Sequence, residues 1–460
     1  MAHVIIIGGG MSGLSLAWYL KNMATDWNIT VLEAEGRVGG KAWTDRKDGF
    51  VIERGVNGVL DNKPSTLDLA TALGVEPLRS NDASRIRYIV RNGKLVALPT
   101  SPGQFLSSPV LSLWGKMRLM LEPLIPPMQK DIDETLASFA KRRLGDEAYR
   151  YLIDPIASGI YAGNPERLSL KACFPRIHEL ESEYGSLIRA MISLQAKAKR
   201  KGERGPSAGP GGVLTSFRGG MEDLVLALRQ ALKNEIMVNA KVMEIEQKGD
   251  GWHVFLEDGT NLSASHLVLS LPAYNAASLV KTISSRLSSL FSHFEYPPIA
   301  VCAFGIRKKD IKGNLNGFGF LCPFCESRKI LGALWDSSVF ENRAPKGYHL
   351  VRCLIGGMRN RHILELNDSK ILDMALWELR SLTGLRSDPD LAVVFRWKRA
   401  IPQYHTGYFE LIQNIRQEIA KIPSLFIRCN WIGGVSLNDC VANSKKLAKT
   451  ISKGNFAKRF

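Results

Sequence analysis

The chain has no run of about 18 consecutive apolar residues, which excludes a transmembrane helix. A buried-strand pattern begins by Val4 and leaves no room for a secretory leader, so none is expected. Cysteine is scarce and scattered, with seven residues at 173, 302, 322, 325, 353, 429 and 440. An odd count without regular spacing is no disulfide framework and suits a reducing compartment. The one C-x-x-C, Cys322-Pro-Phe-Cys325, lacks a second pair and a surrounding βαβ pattern. It reads as structural rather than redox or zinc-binding, and no metal site is expected. Acids are outnumbered, 44 Asp and Glu against 61 Lys and Arg, for a formal net charge of +17. A basic surface attracts nucleic acid, anionic lipid or acidic small molecules, or simply keeps a protein dissolved. With no zinc motif, arginine-rich helix or aromatic-basic RNA signature, no nucleic-acid partner is expected. The expectation is a cytoplasmic protein, soluble or attached to a membrane surface.

What is present is concentrated in the first forty residues. Val4-Ile5-Ile6-Ile7 is a buried-strand run, Gly8-Gly9-Gly10-Met11-Ser12-Gly13 satisfies G-x-G-x-x-G, and Leu14 to Lys21 opens a helix. A second strand, Ile29 to Leu32, ends on Glu33, twenty residues beyond Gly13. In such a unit Gly8 permits the tight turn, Gly10 lets backbone approach a diphosphate, and Gly13 allows close helix–strand packing. The helix N-terminus offers N–H groups to the phosphates, and the acid accepts hydrogen bonds from ribose hydroxyls. Strand, helix and acid together point to a dinucleotide. Arg37-Val38-Gly39-Gly40-Lys41 narrows it to FAD: the arginine neutralises diphosphate charge and the glycines let backbone lie on the cofactor. Gly55-Val56-Asn57-Gly58, after a strand end, is suited to approaching the flavin ring.

Further on, Pro64 to Leu73 is a short helix, and Ile86–Arg91 and Lys94–Leu98 form a hairpin through Asn92-Gly93. Residues 103–128 are rich in Leu, Met and Trp with Lys116 and Arg118 interspersed, and read either as a helical core or as a membrane-contacting patch. Helices continue through Ile132–Leu144 and Glu147–Ile153. Lys197 to Arg204 is a basic run before a Gly/Pro-rich stretch, expected as a solvated, mobile loop. α/β character returns with a helix at Glu222–Leu232, a meander over residues 240–264 and a buried strand, His266 to Leu271. Arg396 to Gly407 is polar and aromatic in the manner of a site loop. Leu425-Phe426-Ile427 is a strand, and Gly433-Gly434 forms a second glycine turn before a final helix. That turn is placed to stabilise negative charge on a reduced flavin.

These pieces resemble the protoporphyrinogen and coproporphyrinogen oxidase family of amine-oxidase-like flavoproteins. Gly8 to Leu14, Glu33 with Arg37 to Lys41, and Ile52 to Gly55 match its FAD elements. More specific are Pro155, Ser158 to Gly163, Leu168-Ser169, Phe174-Pro175, Arg396-Trp397, Pro402 to Gly407 and Asp439-Cys440. The resemblance implies an α/β (α+β) fold in three parts. A discontinuous Rossmann-like FAD domain takes residues 1–60, 212–280 and 400–460. A mixed-sheet substrate domain takes 61–98, 171–211 and 281–399. An inserted helical domain, 99–170, meets the membrane, which favours the membrane-contacting reading of 103–128 and a peripheral site on the inner face of the cell membrane.

The implied non-covalent FAD contacts are Gly8, Gly10, Met11, Ser12, Gly13, Glu33, Ala34, Arg37, Gly39, Gly40, Lys41, Gly55, Val56, Asn57, Gly58, Val242, Trp397, Gly434, Val435 and Ser436. Arg54 and Lys63 are candidates for substrate propionates, Tyr161 and His405 for the pocket, and no acid–base residue is nominated. The implied reaction is oxidation of protoporphyrinogen IX in heme biosynthesis with oxygen or another acceptor, or of coproporphyrinogen III by the same route. Rival readings are an amine oxidase, a carotenoid-type desaturase, or a basic membrane-surface protein with structural FAD. Three departures stand out: Val56 where the family has proline, Ser436 where it has glycine against the flavin, and Asn438 where it has proline.

Overall fold

The computed structural model describes residues 2–24, 26–129, 132–200, 212–312 and 315–454, and in it three distant chain segments build one parallel sheet. Its strands are β1 (His3–Ile7), β2 (Asn28–Leu32), β3 (Ile236–Met237), β4 (His266–Leu269) and β5 (Leu425–Ile427). They lie in the order β3-β2-β1-β4-β5, every pairing parallel. Their near-continuous apolar sequence follows from burial on both faces. Val4, Ile6, Val268 and Phe426 pack toward helix α1 (Met11–Met23) and helix α2 (Leu437–Ser452). Ile5, Ile7, Leu267, Leu269, Leu425 and Ile427 pack on the other face, in one core with the 242–264 meander and the helix Tyr408–Ala420.

A second, seven-stranded sheet carries the middle of the chain. Its order is Leu391–Trp397, Ile299–Arg307, Tyr348–Gly356, Gly332–Leu334, Gly319–Leu321, Arg87–Arg91 and Lys94–Ala97. All neighbours are antiparallel except Gly319–Leu321 against Arg87–Arg91. The 87–97 hairpin turns on Asn92 and Gly93, both with positive φ, as an Asn-Gly turn requires. Arg396 and Trp397 end a strand of this sheet rather than opening a loop. Their pairing with Ala300 and Ile299 explains it, since the ladder outweighs local polarity.

A run of helices that pack mainly on one another follows the 87–97 hairpin, and it does not stop at residue 170. Helices Pro175–Tyr184 and Leu187–Arg200 extend it through most of the segment expected in the substrate domain. Lys197, Lys199 and Arg200 therefore sit on the last turn of a helix rather than in a loop, while 201–211 lie outside the described residues. The run is tied together by Arg143, which is fully buried. It donates to Glu181 (2.9 Å), Glu122 (2.9 Å) and the carbonyls of Ile125 and Gly185. Glu122 in turn accepts from the backbone of Leu187 and Ile188.

The 103–128 stretch divides. Val110 and Leu111 are buried, whereas Leu106, Leu113, Trp114, Met117, Met120, Leu121 and Leu124 face outward, Trp114 with 78% of its surface exposed. Among the described residues no helix is long and apolar enough to cross a membrane.

Removing one partner of a buried ion network leaves an uncompensated charge. Arg143→Met is expected to destabilise the protein by about 3–5 kcal/mol. Thermal melts of the two proteins check this, and an unchanged melting temperature would show that the network is dispensable.

Candidate functional site

Parallel strands deliver their loops to one edge, and the glycine loop occupies that edge between β1 and α1. Gly8 has φ +110, and a Cβ on it would strike the Ser270 carbonyl. A Cβ on Gly13 would strike the carbonyl of Gly8, so helix and strand touch there as the motif requires. Gly10 differs: it is extended (φ −72, ψ 174), and a Cβ on it would meet nothing within 4 Å. The loop thus leaves open space at one glycine and close packing at its neighbours.

The α1 N-terminus borders that space. Met11, Ser12 and Gly13 are buried, the first turn has no acidic residue, and Gly10 provides no side-chain cap. A buried helix end without partners calls for an anion, so these residues fit a diphosphate. Gly39 stacks on the loop, its N–H donating to the Gly9 carbonyl at 2.7 Å, and Gly40 lies against Gly10. Glu33 accepts from the N–H groups of Gly9 (2.9 Å) and Glu35 (3.0 Å), which ties it to the same loop. The backbone of Glu33 also pairs with Met237 and Ala240, two residues before Val242, and Ala34 next to it is exposed.

Arg37 is less free than its motif suggests. It donates to Gly40 (3.0 Å) and Ala42 (3.2 Å), pairs with Glu222 at 3.1 Å and stacks over Trp43. Lys41 has a different environment. Its ammonium donates to the Ala400 carbonyl near the Tyr296 ring, and burial pushes its pKa down to about 8.

The 54–58 loop is held by the seven-stranded sheet. Trp397 Nε1 donates to the Arg54 carbonyl at 2.7 Å. The buried Arg352 donates to the Glu53 carbonyl (2.6 Å), to Asn57 Oδ1 (2.7 Å) and to Asp336. Arginine cannot accept, so the Asn57 amide must offer it oxygen; its Nδ2 is left buried without a partner among the described residues. Beneath the loop, Glu53 accepts from Met221 N–H and Thr44, 3.8 Å from Arg343. Burial nevertheless pushes its carboxyl up to about 7. Gly55 lies on the Lys41 carbonyl, Gly58 against Thr215, and Val56 packs on the α1-side core.

The C-terminal turn closes the arrangement. Gly433 and Gly434 have φ of +77 and +122, and their N–H groups donate to the hydroxyls of Tyr408 and Tyr404. Ser436 is the N-cap of α2: its Oγ accepts from Asp439 N–H and donates to the Asp439 carboxylate. Its φ of −72 needs no glycine, which accounts for the departure at this position. Val435 beside it packs on the larger core.

The substrate candidates are not brought together. Arg54 is sandwiched between Trp43 and Phe395 and paired with Asp45. Lys63 pairs with Asp439 at 2.8 Å. Tyr161 donates its hydroxyl to the Cys173 carbonyl, and burial pushes its pKa far up. His405 sits with Arg167, Glu295 and Arg361, bridging the helical run to the 403–407 loop. Absent from the sequence-level set are Arg352, Tyr404 and Gln403; the polar run 396–407 flagged the last two only as a stretch. Among the described residues no group of His, Cys, Asp and Glu could hold a metal.

The family profile of flavin-containing amine oxidoreductases matches residues 11–442. The coproporphyrinogen III oxidase of Bacillus subtilis is 30% identical over 96% of both chains. A chloroplast protoporphyrinogen oxidase of Arabidopsis thaliana is 31% identical over 99% of this chain and 88% of its own. A crystal structure of a provisionally named protoporphyrinogen oxidase from Exiguobacterium sp. 255-15 superposes with a TM-score of 0.85 at 26% identity, covering 98% of this chain and 99% of that one.

Two outcomes follow from the geometry. Gly10→Ala should fold normally and melt near the wild type, yet lose about tenfold or more in flavin affinity because the methyl fills the open space. Gly13→Ala should lose both; equal effects of the two variants on folding would refute the distinction. His405 and His349 are both held down to about 4, chiefly by burial, so the folded chain binds their protons later than the unfolded one. Their contribution is present above pH 6.5 and is lost as pH falls toward 4. Melting temperatures taken from pH 8 to 4.5 should therefore fall, and less steeply in His405→Gln.

Proposed function

The chain belongs to the flavin-containing amine oxidoreductase family and is an FAD-dependent oxidoreductase, and we propose that it oxidises a porphyrinogen to the porphyrin in heme biosynthesis. The observation that carries this reading is end-to-end similarity to enzymes named for that reaction, at 30% and 31% identity. The substrate is protoporphyrinogen IX. The second reading, coproporphyrinogen III, is favoured by the bacterial relatives from Bacillus subtilis and Staphylococcus aureus.

In this proposal the glycine loop, α1 N-terminus and Gly39-Gly40 hold the diphosphate, Glu33 the ribose, and Ala34 and Val242 flank the adenine end. Lys41, the 55–58 loop, Trp397 and the 434–436 turn surround the flavin end. Bound FAD supplies the hydride acceptor and passes electrons to oxygen or another acceptor. The chain's own task is to bind, orient and keep water out. Ala162, Ile299, Val301 and Ala400 form a buried apolar cluster with Phe395, Trp397, Leu331 and Ile401. It adjoins Lys41 and the 54–58 loop and gives the apolar body of the macrocycle a surface to lie on. Arg54 and Lys63, each already paired with an aspartate, receive propionates on their remaining N–H groups. Tyr161 shapes the wall, its hydroxyl being engaged, and His405 fixes the neighbouring loop.

The outward apolar residues around Trp114 rest on a lipid surface, at the inner face of the cell membrane. Trp114→Glu with Leu113→Glu should abolish flotation with anionic vesicles while leaving turnover in detergent intact; retained flotation would contradict the assignment.

Aerobic assays by porphyrin fluorescence compare protoporphyrinogen IX, coproporphyrinogen III and a panel of primary amines. The proposal expects porphyrin formation and no amine oxidation. Oxidation of amines with neither porphyrinogen consumed would sink it, and the ratio of the two porphyrinogen rates decides between them.

A further inference from the structure

Among the described residues four arginines are almost completely inaccessible: Arg143, Arg343, Arg352 and Arg428. Three face carboxylates: Arg143 meets Glu122 and Glu181, Arg343 meets Glu53, and Arg352 meets Asp336. Arg428 meets none among the described residues. Its Nη2 donates to the carbonyl of the adjacent Cys429 at 2.8 Å, and its buried Nε has no partner. Among the described residues this guanidinium thus meets a neutral carbonyl and no carboxylate, and a buried charge without a counter-charge is costly to the folded chain.

Its position says what would balance it. Ile427 pairs with Leu269, and Leu269 with Ile7, so Arg428, Ser270 and Gly8 stand in a row at the C-terminal edge of β5, β4 and β1. Side chains alternate along strands. Ile6, Val268 and Phe426 belong to the core shared with α1 and α2, so Arg428 and Ser270 are directed to that same side. Ser270 Oγ is also buried and unpartnered among the described residues, and a Cβ on Gly13 would lie 3.1 Å from it, in the first turn of α1. A full positive charge and a positive helix end thus share one face of the sheet. The helix end is worth only about half a charge. Arg37 adds little there, because Glu222 already balances it.

We propose that Arg428 is a ligand of the FAD diphosphate, supplying the full charge that the glycine loop and the α1 N-terminus lack. The inference rests on the FAD reading. Its consequence is an exchange of stability for affinity: the FAD-free protein carries an unbalanced buried charge, and the cofactor removes it.

The test uses full-length FAD-free protein, with Arg428→Met and with Arg428→Gln, which keeps a donor for the Cys429 carbonyl. FAD and ADP, which share the diphosphate, are titrated into each, and FAD-free melting temperatures are recorded. Both variants should bind FAD and ADP roughly 100-fold more weakly, as expected for losing a charge-assisted contact. Arg428→Met should melt higher than wild type without FAD. Unchanged affinities with a lowered melting temperature would make Arg428 a structural support for Cys429 and overturn the proposal. Loss of FAD binding with ADP binding intact would move the guanidinium to the flavin ring and overturn it equally. A wild-type protein that binds neither ligand would overturn the FAD reading itself, and the proposal with it.

Discussion

The buried first turn of α1, with no acid and no side-chain cap, is the constraint on which the rest of the molecule depends. Met11, Ser12 and Gly13 are buried at this helix end, a Cβ on Gly10 would meet nothing within 4 Å, and the glycines beside it are closely packed, which fits an anion there. Gly39 closes on Gly9, Ser444 of α2 donates to the Ser12 carbonyl at 2.9 Å, and β4 and β5 bring Ser270 and Arg428 to the same edge. The pocket is thus assembled from residues more than 400 positions apart, although each contact is local in space.

A second constraint links this edge to the seven-stranded sheet. The 53–57 loop is gripped by Arg352 at two points and by Trp397 at a third. Because the guanidinium can only donate, it fixes the orientation of the Asn57 amide as well as the position of the loop. Residues expected to meet the flavin are therefore carried by rigid elements, which is what a hydride transfer between two bound rings needs. The 403–407 loop is held likewise. Gln403 donates to the Tyr161 carbonyl at 2.8 Å, and Tyr404 donates to Asn430 while receiving Gly434 N–H.

Much of this was legible in the chain because local physics and global fold agree. Fully buried strands spell themselves out as Val4–Ile7 and Leu425–Ile427, and Asn92-Gly93 dictates its own turn. The glycine loop with Glu33 carries its spacing in the sequence. What stayed hidden depends on contacts between distant residues. Arg396 and Trp397 read as loop because their strand partners, Ala300 and Ile299, lie about a hundred residues away. Nothing near Arg37 announces its partner Glu222, and nothing near Arg428 distinguishes it from the other bases of a basic chain. Ser436 looked like an obstacle and is a helix cap, a role visible in Ser436-x-x-Asp439 once the helix start is known. The apolar 103–128 stretch could be assigned to core or surface only when Val110 and Leu111 turned inward and Trp114 outward.

The central claim is that one flavin in this chain takes electrons from a porphyrinogen. Porphyrinogen and porphyrin differ by six electrons, and each flavin takes two. Mixing porphyrinogen with excess oxidised protein without oxygen, and following flavin bleaching together with porphyrin absorbance, measures that claim directly. The account predicts three flavins bleached for each porphyrin formed; porphyrin formed while the flavin stays oxidised, or flavin left unbleached by both porphyrinogens, would contradict it.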